Sequence, residues 1–229
     1  MPALHRFLFK ALEKADIARS TVIHQASRKP FTFTLPAGNG DAQWVTHIGL
    51  LQEDLADYFE GSLRNTLGGS MDLRQRVFTP ISLEVTRHSY ADILNHSYAL
   101  LTADEYGMEF LTPTAFRQQT ESYLFPEPQM LFRSLLERWN HFAPTPLDEG
   151  LLDWVRQYLW PARYKLETSS ISWSKGHQIG FVGQVRYVLR RATNVPGEVR
   201  QSLSALLALA YFSGVGIKTT MGMGEVIVR

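Results

Sequence analysis

The last sixteen residues, GVGIKTTMGMGEVIVR, constrain the backbone more tightly than any other stretch of the chain. Gly214, Gly216, Gly222 and Gly224 surround Lys218, Thr219 and Thr220. Before them, Val199, Leu203, Leu206, Leu207 and Ala210 recur at helical spacing from Gly197 to Phe212; after them, Glu225 to Val228 reads as a final strand. A dinucleotide-binding loop runs in the opposite order, from strand through glycines into a helix whose N-terminus holds the phosphate. A Walker loop needs glycine directly before its lysine, and Ile217 stands there. Both nucleotide readings fail. What remains is a tight connection needing positive φ, or a loop whose amides and Lys218 cradle phosphate. Two glycines would serve the first purpose, so four favour the second.

Charge supports a phosphate partner only locally. Lys and Arg total 23 against 22 acids, a net charge of +1 that carries no global nucleic-acid signature. Between residues 156 and 191, however, Arg156, Arg163, Lys165, Lys175, Arg186, Arg190 and Arg191 face a single acid, Glu167. This stretch is either a phosphate-facing surface or a solvated sheet face. With no cysteine, disulfides, thiolate nucleophiles and thiolate metal sites are excluded. No His, Asp or Glu cluster has ligand spacing either, so no metal and no cofactor is expected. Apolar runs fall well short of the roughly 20 residues of a membrane span, and the chain is expected to be cytoplasmic, with no membrane partner.

Along the chain, Leu4, Phe7, Leu8, Ala11, Leu12 and Ala15 predict an opening amphipathic helix, followed by a strand after Pro30. A second helix is expected from Glu53 to Asn65, and alternation of Val77, Ile81, Leu83 and Val85 predicts a half-buried strand, with Pro80 placing it at an edge or bulge. After His88 the cycle restarts, with short strands expected near Ser97 to Thr102 and Met108 to Leu111. Two helices follow, lined by Phe132, Leu135, Leu136 and Trp139 and by Leu151, Trp154, Val155, Tyr158 and Leu159, with Pro144 and Pro146 between them. Arg163 to Trp173 and His177 to Arg190 then form a hairpin around Ser174, Lys175 and Gly176. Two α+β halves, residues 1–94 and 95–229, are the simplest account.

A helix ending in GxGxKTxxGxG and one last strand resembles the repeat-processing endoribonucleases of CRISPR systems, in the RAMP superfamily. YGMEFLTPTAFRQ (Tyr106 to Gln118), PEPQMLFRSLLERWNHFAP (Pro126 to Pro144) and GFVGQVRY (Gly180 to Tyr187) extend the likeness over most of the chain. The resemblance implies two tandem ferredoxin-like domains. It also implies a protein that cuts precursor CRISPR RNA at the base of the repeat, commonly stays bound to the guide RNA, and works with other subunits of an effector complex. The family begins with a strand before its first helix, whereas this sequence opens on the helix. The first domain is therefore expected to lack that strand, with another segment or a partner in its place.

Cutting RNA without metal needs a base, an acid and a cation near the phosphate. His24, in IHQASRKPFTF, follows the opening helix, and Arg28 and Lys29 come shortly after. The resemblance makes His24 general acid or base and Lys29 the phosphate stabiliser. Some relatives add a tyrosine on the first helix; here that place holds Phe9, and His5 and Arg6 on the same helix are the fallback partners. His47, His88, His96, His141 and His177 are expected to be structural. Arg28, Arg163, Lys165, Lys175, Arg186, Arg190, Lys218 and the loop's glycines and threonines are the expected RNA contacts. The leading alternative to an enzyme is an RNA-binding subunit without useful catalysis; a purely structural effector subunit is the third.

Overall fold

A computed structural model describes residues 2–34, 37–38, 43–73, 76–96, 104–173 and 176–229. The fold is α+β, two tandem ferredoxin-like domains. In the first, α1 (Pro2–Ala15) buries Leu4, Leu8, Ala11 and Leu12 on the stripe its spacing predicts, and Phe9 beyond it. A second helix follows at once, α2 (Ile17–Gln25), capped by the Asp16 carboxylate accepting from the Arg19 amide at 3.0 Å. His24 therefore stands in the last turn of a helix, not in the loop expected for it. β1 (Phe31–Phe33) pairs antiparallel with β4 (Ile48–Leu50), while β2 (Ala37–Gly38) and β3 (Trp44–Val45) form a small hairpin between them. α3 (Ala56–Arg64) closes a core of Leu8, Leu12, Ile23, Phe31, Phe33, Leu55 and Phe59.

The half-buried strand expected at Val77 to Val85 is corrected. β6 (Arg76–Phe78) pairs only with β5 (Met71–Leu73), no strand covers residues 79–89, and Val77 and Ile81 are exposed. Alternation makes a strand only where a neighbouring edge accepts its hydrogen bonds, and Pro80 supplies no donor. The restart after His88 likewise begins with a helix, α4 (Tyr90–His96). The strand expected near Ser97 to Thr102 lies outside the described residues.

In the second domain, β7 (Glu105–Thr114) buries Tyr106, Met108 and Phe110 on one face. A short hairpin of β8 (Phe116–Gln118) and β9 (Glu121–Tyr123) precedes α5 (Pro128–Phe142), which begins with proline at its first turn. α6 (Leu151–Tyr158), β10 (Leu159–Trp173), β11 (Gly176–Leu189), α7 (Gly197–Ser213) and β12 (Val226–Val228) complete the chain. The sheet order β10-β11-β7-β12 is that of a ferredoxin-like βαββαβ unit, with α5 and α7 covering one face. Phe181, Val185, Tyr187 and Leu189 meet Leu131, Phe132, Leu135, Trp139, Leu203, Leu206 and Leu207 there. The opposite face carries Glu105, Glu109, Gln184 and Arg186. The domains meet where Thr32 Oγ1 donates to the Phe212 carbonyl at 2.8 Å.

Candidate active site and nucleic-acid interface

Two histidines and an aromatic ring form a column on the first domain. His5 and Phe9 lie one turn apart on α1 with ring centroids 4.8 Å apart, and the His24 ring meets Phe9 edge-on at 5.0 Å. Burial lowers the pKa of His5, and the neighbouring positive charges of His24 and Lys29 lower it further. His24 is exposed and His5 half-buried. Lys29 Nζ donates to the His24 carbonyl at 2.7 Å and to that of Ala26 at 2.5 Å, so it caps the C-terminus of α2. Desolvation lowers its pKa. An ammonium has three N–H donors, and one remains beyond these two carbonyls. Arg6, the other fallback, is exposed on the same helix.

Arg28 pairs with Glu137 of α5 at 2.7 Å, joining the His24 segment to the second domain. Glu137 precedes Arg138, and Arg138 is where the glycine-rich loop is anchored. Its Nη1 donates to the Ser213 carbonyl and, at 3.3 Å each, to the Gly214 carbonyl and Thr219 Oγ1; Nη2 donates to the Gly216 carbonyl at 2.6 Å. The four glycines all have positive φ. At Gly216 a Cβ would stand 2.2 Å from the Ala115 carbonyl oxygen, and at Gly224 2.0 Å from that of Val215. Glycine density is thus explained by backbone packing alone. The amides of Gly214, Val215, Gly216, Ile217, Met221, Gly222, Met223 and Gly224 already have acceptors within the protein. The side chains left for a ligand are therefore those of Lys218 and Thr220, since Thr219 is buried with its hydroxyl on Arg138, and not a nest of glycine amides.

Lys218 adopts the left-handed conformation, φ 56°, and reaches across to the hairpin. Its Nζ lies 4.8 Å from the centre of the Trp173 ring and donates to Gln178 Oε1 at 2.9 Å. The register pairs Trp173 with Gly176, Lys165 with Gln184 and Arg163 with Arg186, which places all of them on the open face of the sheet. A groove of about 430 Å³ there is lined by Glu105, Glu109, Arg163, Lys165, Arg186 and Arg229. Its cations are not equivalent. Arg186 pairs with Glu105 at 2.9 Å and Arg229 with Glu109, whereas Arg163 and Lys165 have no acidic partner among the described residues. Arg190 packs over Trp160, 5.5 Å from the ring centre, and Arg156 pairs with Asp153. Lys175 lies outside the described residues.

Four other histidines have partners away from His5 and His24: His88 packs on Phe212, His47 near Tyr211 and His141 on Phe142, and His96 Nδ1 lies 3.0 Å from the Asp92 carbonyl; the fifth, His177, is exposed on the hairpin opposite Ser172, next to Gln178. Among the described residues no three His, Asp or Glu side chains converge as metal ligands, and no helix is long and apolar enough to cross a membrane. Sequence reasoning missed Ser134, Glu137, Arg138, Trp173 and Gln178. The one available signal was the i, i+4 spacing of Ser134 and Arg138 beside the buried Trp139 stripe of α5.

Fold and site together define a protein of the ferredoxin-like RAMP class. It is similar at TM-score 0.83 and 24% identity to a Cas6 product complex, covering 99% of this chain and 92% of that one. A second Cas6 product complex matches at TM-score 0.82 and 26% identity, over 98% and 91% of the two chains. A family model described as CRISPR-associated endoribonuclease Cas6 matches residues 108–226, and the chain belongs to that family. The curated Cas6 endoribonuclease of Streptococcus thermophilus is 25% identical over 97% of this chain and 88% of its own length. The Mycobacterium tuberculosis Cas6 endoribonuclease is also 25% identical, over all of this chain and 71% of its own.

Proposed function

We propose that this endoribonuclease binds CRISPR repeat RNA and cuts it without metal, by attack of the repeat's own 2′-oxygen on the adjacent phosphorus. The bond from phosphorus to the 5′-oxygen breaks, giving a 2′,3′-cyclic phosphate and a 5′-hydroxyl. The observation that carries this reading is the column of His5, Phe9 and His24 with Lys29 fixed to the His24 carbonyl. His5, kept neutral by burial, suits removal of the 2′ proton; exposed His24 suits protonation of the leaving oxygen. Lys29 holds the end of α2 and turns its remaining N–H to charge building on the phosphate. Arg28 and the strip from Lys218 to Arg163 hold the RNA, and Lys175, Arg186 and Arg190 are its further contacts.

The guide RNA stays bound after cleavage, a reading supported by relatives solved as product complexes. Effector-complex subunits are the protein partners, and the prokaryotic cytoplasm is where a CRISPR transcript is met. Residues 1–94 form the domain carrying the histidines and 95–229 the domain carrying the RNA-holding strip. Incubation with the repeat from the same genome in chelator tests the chemistry. Cutting should persist there and cease when the 2′-hydroxyl at the cleavage site is replaced by hydrogen. Activity that vanishes in chelator and returns with a divalent ion overturns the mechanism. A second reading, an RNA-binding subunit with little catalysis, is favoured by one observation: Phe9 places no hydroxyl between the two imidazoles.

A further inference from the structure

Among the described residues of the site, Arg138 is the strong cation that faces inward. Its guanidinium lies beneath the glycine-rich loop, and every acceptor it has there is neutral: the carbonyls of Ser213, Gly214 and Gly216 and the Thr219 hydroxyl. One helical turn earlier, Ser134 Oγ accepts the Gly216 amide at 2.9 Å, so two α5 side chains hold both sides of the same loop residue. Carbonyl oxygens are the negative ends of the peptide dipoles, and turned outward they would repel a phosphate. Arg138 gathers three of them inward. Beyond Ile217 come Lys218 and Thr219, and the Thr219 hydroxyl is itself held by the guanidinium.

We propose that Arg138 is the positioning residue for RNA binding: its fork sets the loop so that Lys218 meets phosphate, with loop carbonyls turned away from the RNA and a cation beneath it. Lysine cannot replace it, because a single ammonium does not span acceptors from Ser213 to Thr219 as a planar fork does. Burial draws the guanidinium pKa down to about 10, with the Arg28 charge adding to the effect and Glu137 opposing it, and at neutral pH the group is still charged. This inference rests on the reading that the loop binds RNA.

The test is Arg138→Lys, alone and combined with Lys218→Ala, read in two ways. In the RNA-free protein, amide hydrogen exchange over residues 213–224 should rise ~10-fold or more in Arg138→Lys, while the core of α5 and α7 stays protected. With repeat RNA, Arg138→Lys should weaken affinity ~10-fold, and Lys218→Ala should then add less than ~2-fold although it costs more than that in the wild type. The loss should fall on Kd, with the single-turnover rate at saturating protein moving far less. Unchanged loop exchange overturns the proposal, as does full additivity of the two substitutions, which a merely stabilising arginine would give. Raised loop exchange in a protein whose wild type shows no affinity for repeat RNA would instead defeat the RNA-binding reading, and the proposed role would fall with it.

Discussion

His5 and Phe9 show how one residue decides what its neighbours can do. A hydroxyl at position 9 would stand between the two imidazoles; phenylalanine fills the space, and in the proposed mechanism the proton work falls to His5 and His24. Because burial and two nearby positive charges depress the His5 pKa in the folded state, the unfolded chain binds that proton more readily. The stabilising contribution is present above the ordinary value of 6.5 and is lost as pH falls through the lowered value. Melting of wild type and His5→Phe at pH 7 and pH 5 checks this: wild type should lose more stability on acidification than the variant, since the carboxylates titrate in both. Gly224 carries a separate prediction. Alanine there would meet the Val215 carbonyl at 2.0 Å and adopt φ 74°, so Gly224→Ala should cost ~2 kcal/mol or more by denaturant titration.

At the scale of elements, α5 links the two functional regions. Glu137 holds the segment after His24 through Arg28, and Arg138 holds the glycine-rich loop. The Arg28–Glu137 pair is nearly half exposed on both sides, worth at most about 1 kcal/mol, so it orients more than it stabilises. Hairpin cations should differ in the same way. Removing Lys165 or Lys218 should lower the slope of log affinity against log salt by about 0.7, the value for one phosphate contact to single-stranded RNA. Arg186→Ala should change it less, because Arg186 begins in an ion pair with Glu105. Slopes and affinities unchanged from wild type in all three variants would make the basic stretch a solvated face. Elements such as α5, α7 and the long hairpin were legible because their signals are local: spacing along a helix, alternation along a strand. α2 was not, since exposed Ile17 and Val22 blur any apolar stripe and only Asp16 marked its start. Val77 to Val85 misled for the converse reason, having the alternation without a sheet edge to meet it.

For the whole molecule, the helices, hairpin and last strand of the second domain could be read from the residues and its ferredoxin-like order came from the resemblance, but the meeting of His5 with His24, and of Lys218 with Trp173, could not be read. Those contacts join segments whose proximity depends on the completed fold, and no periodicity encodes them. The resemblance named His24 and Lys29; the fold adds that they share one helix end and that this end is tied through α5 to the glycine-rich loop. In the proposed function, substrate held on the loop and strip is thereby set against the histidine column. The most direct measurement of this account is the single-turnover cleavage rate of repeat RNA by His24→Ala in chelator, beside its Kd. A proton carrier at position 24 predicts a rate lower by ~10²-fold or more with affinity near wild type. A variant that binds as before and cuts at the wild-type rate would contradict it.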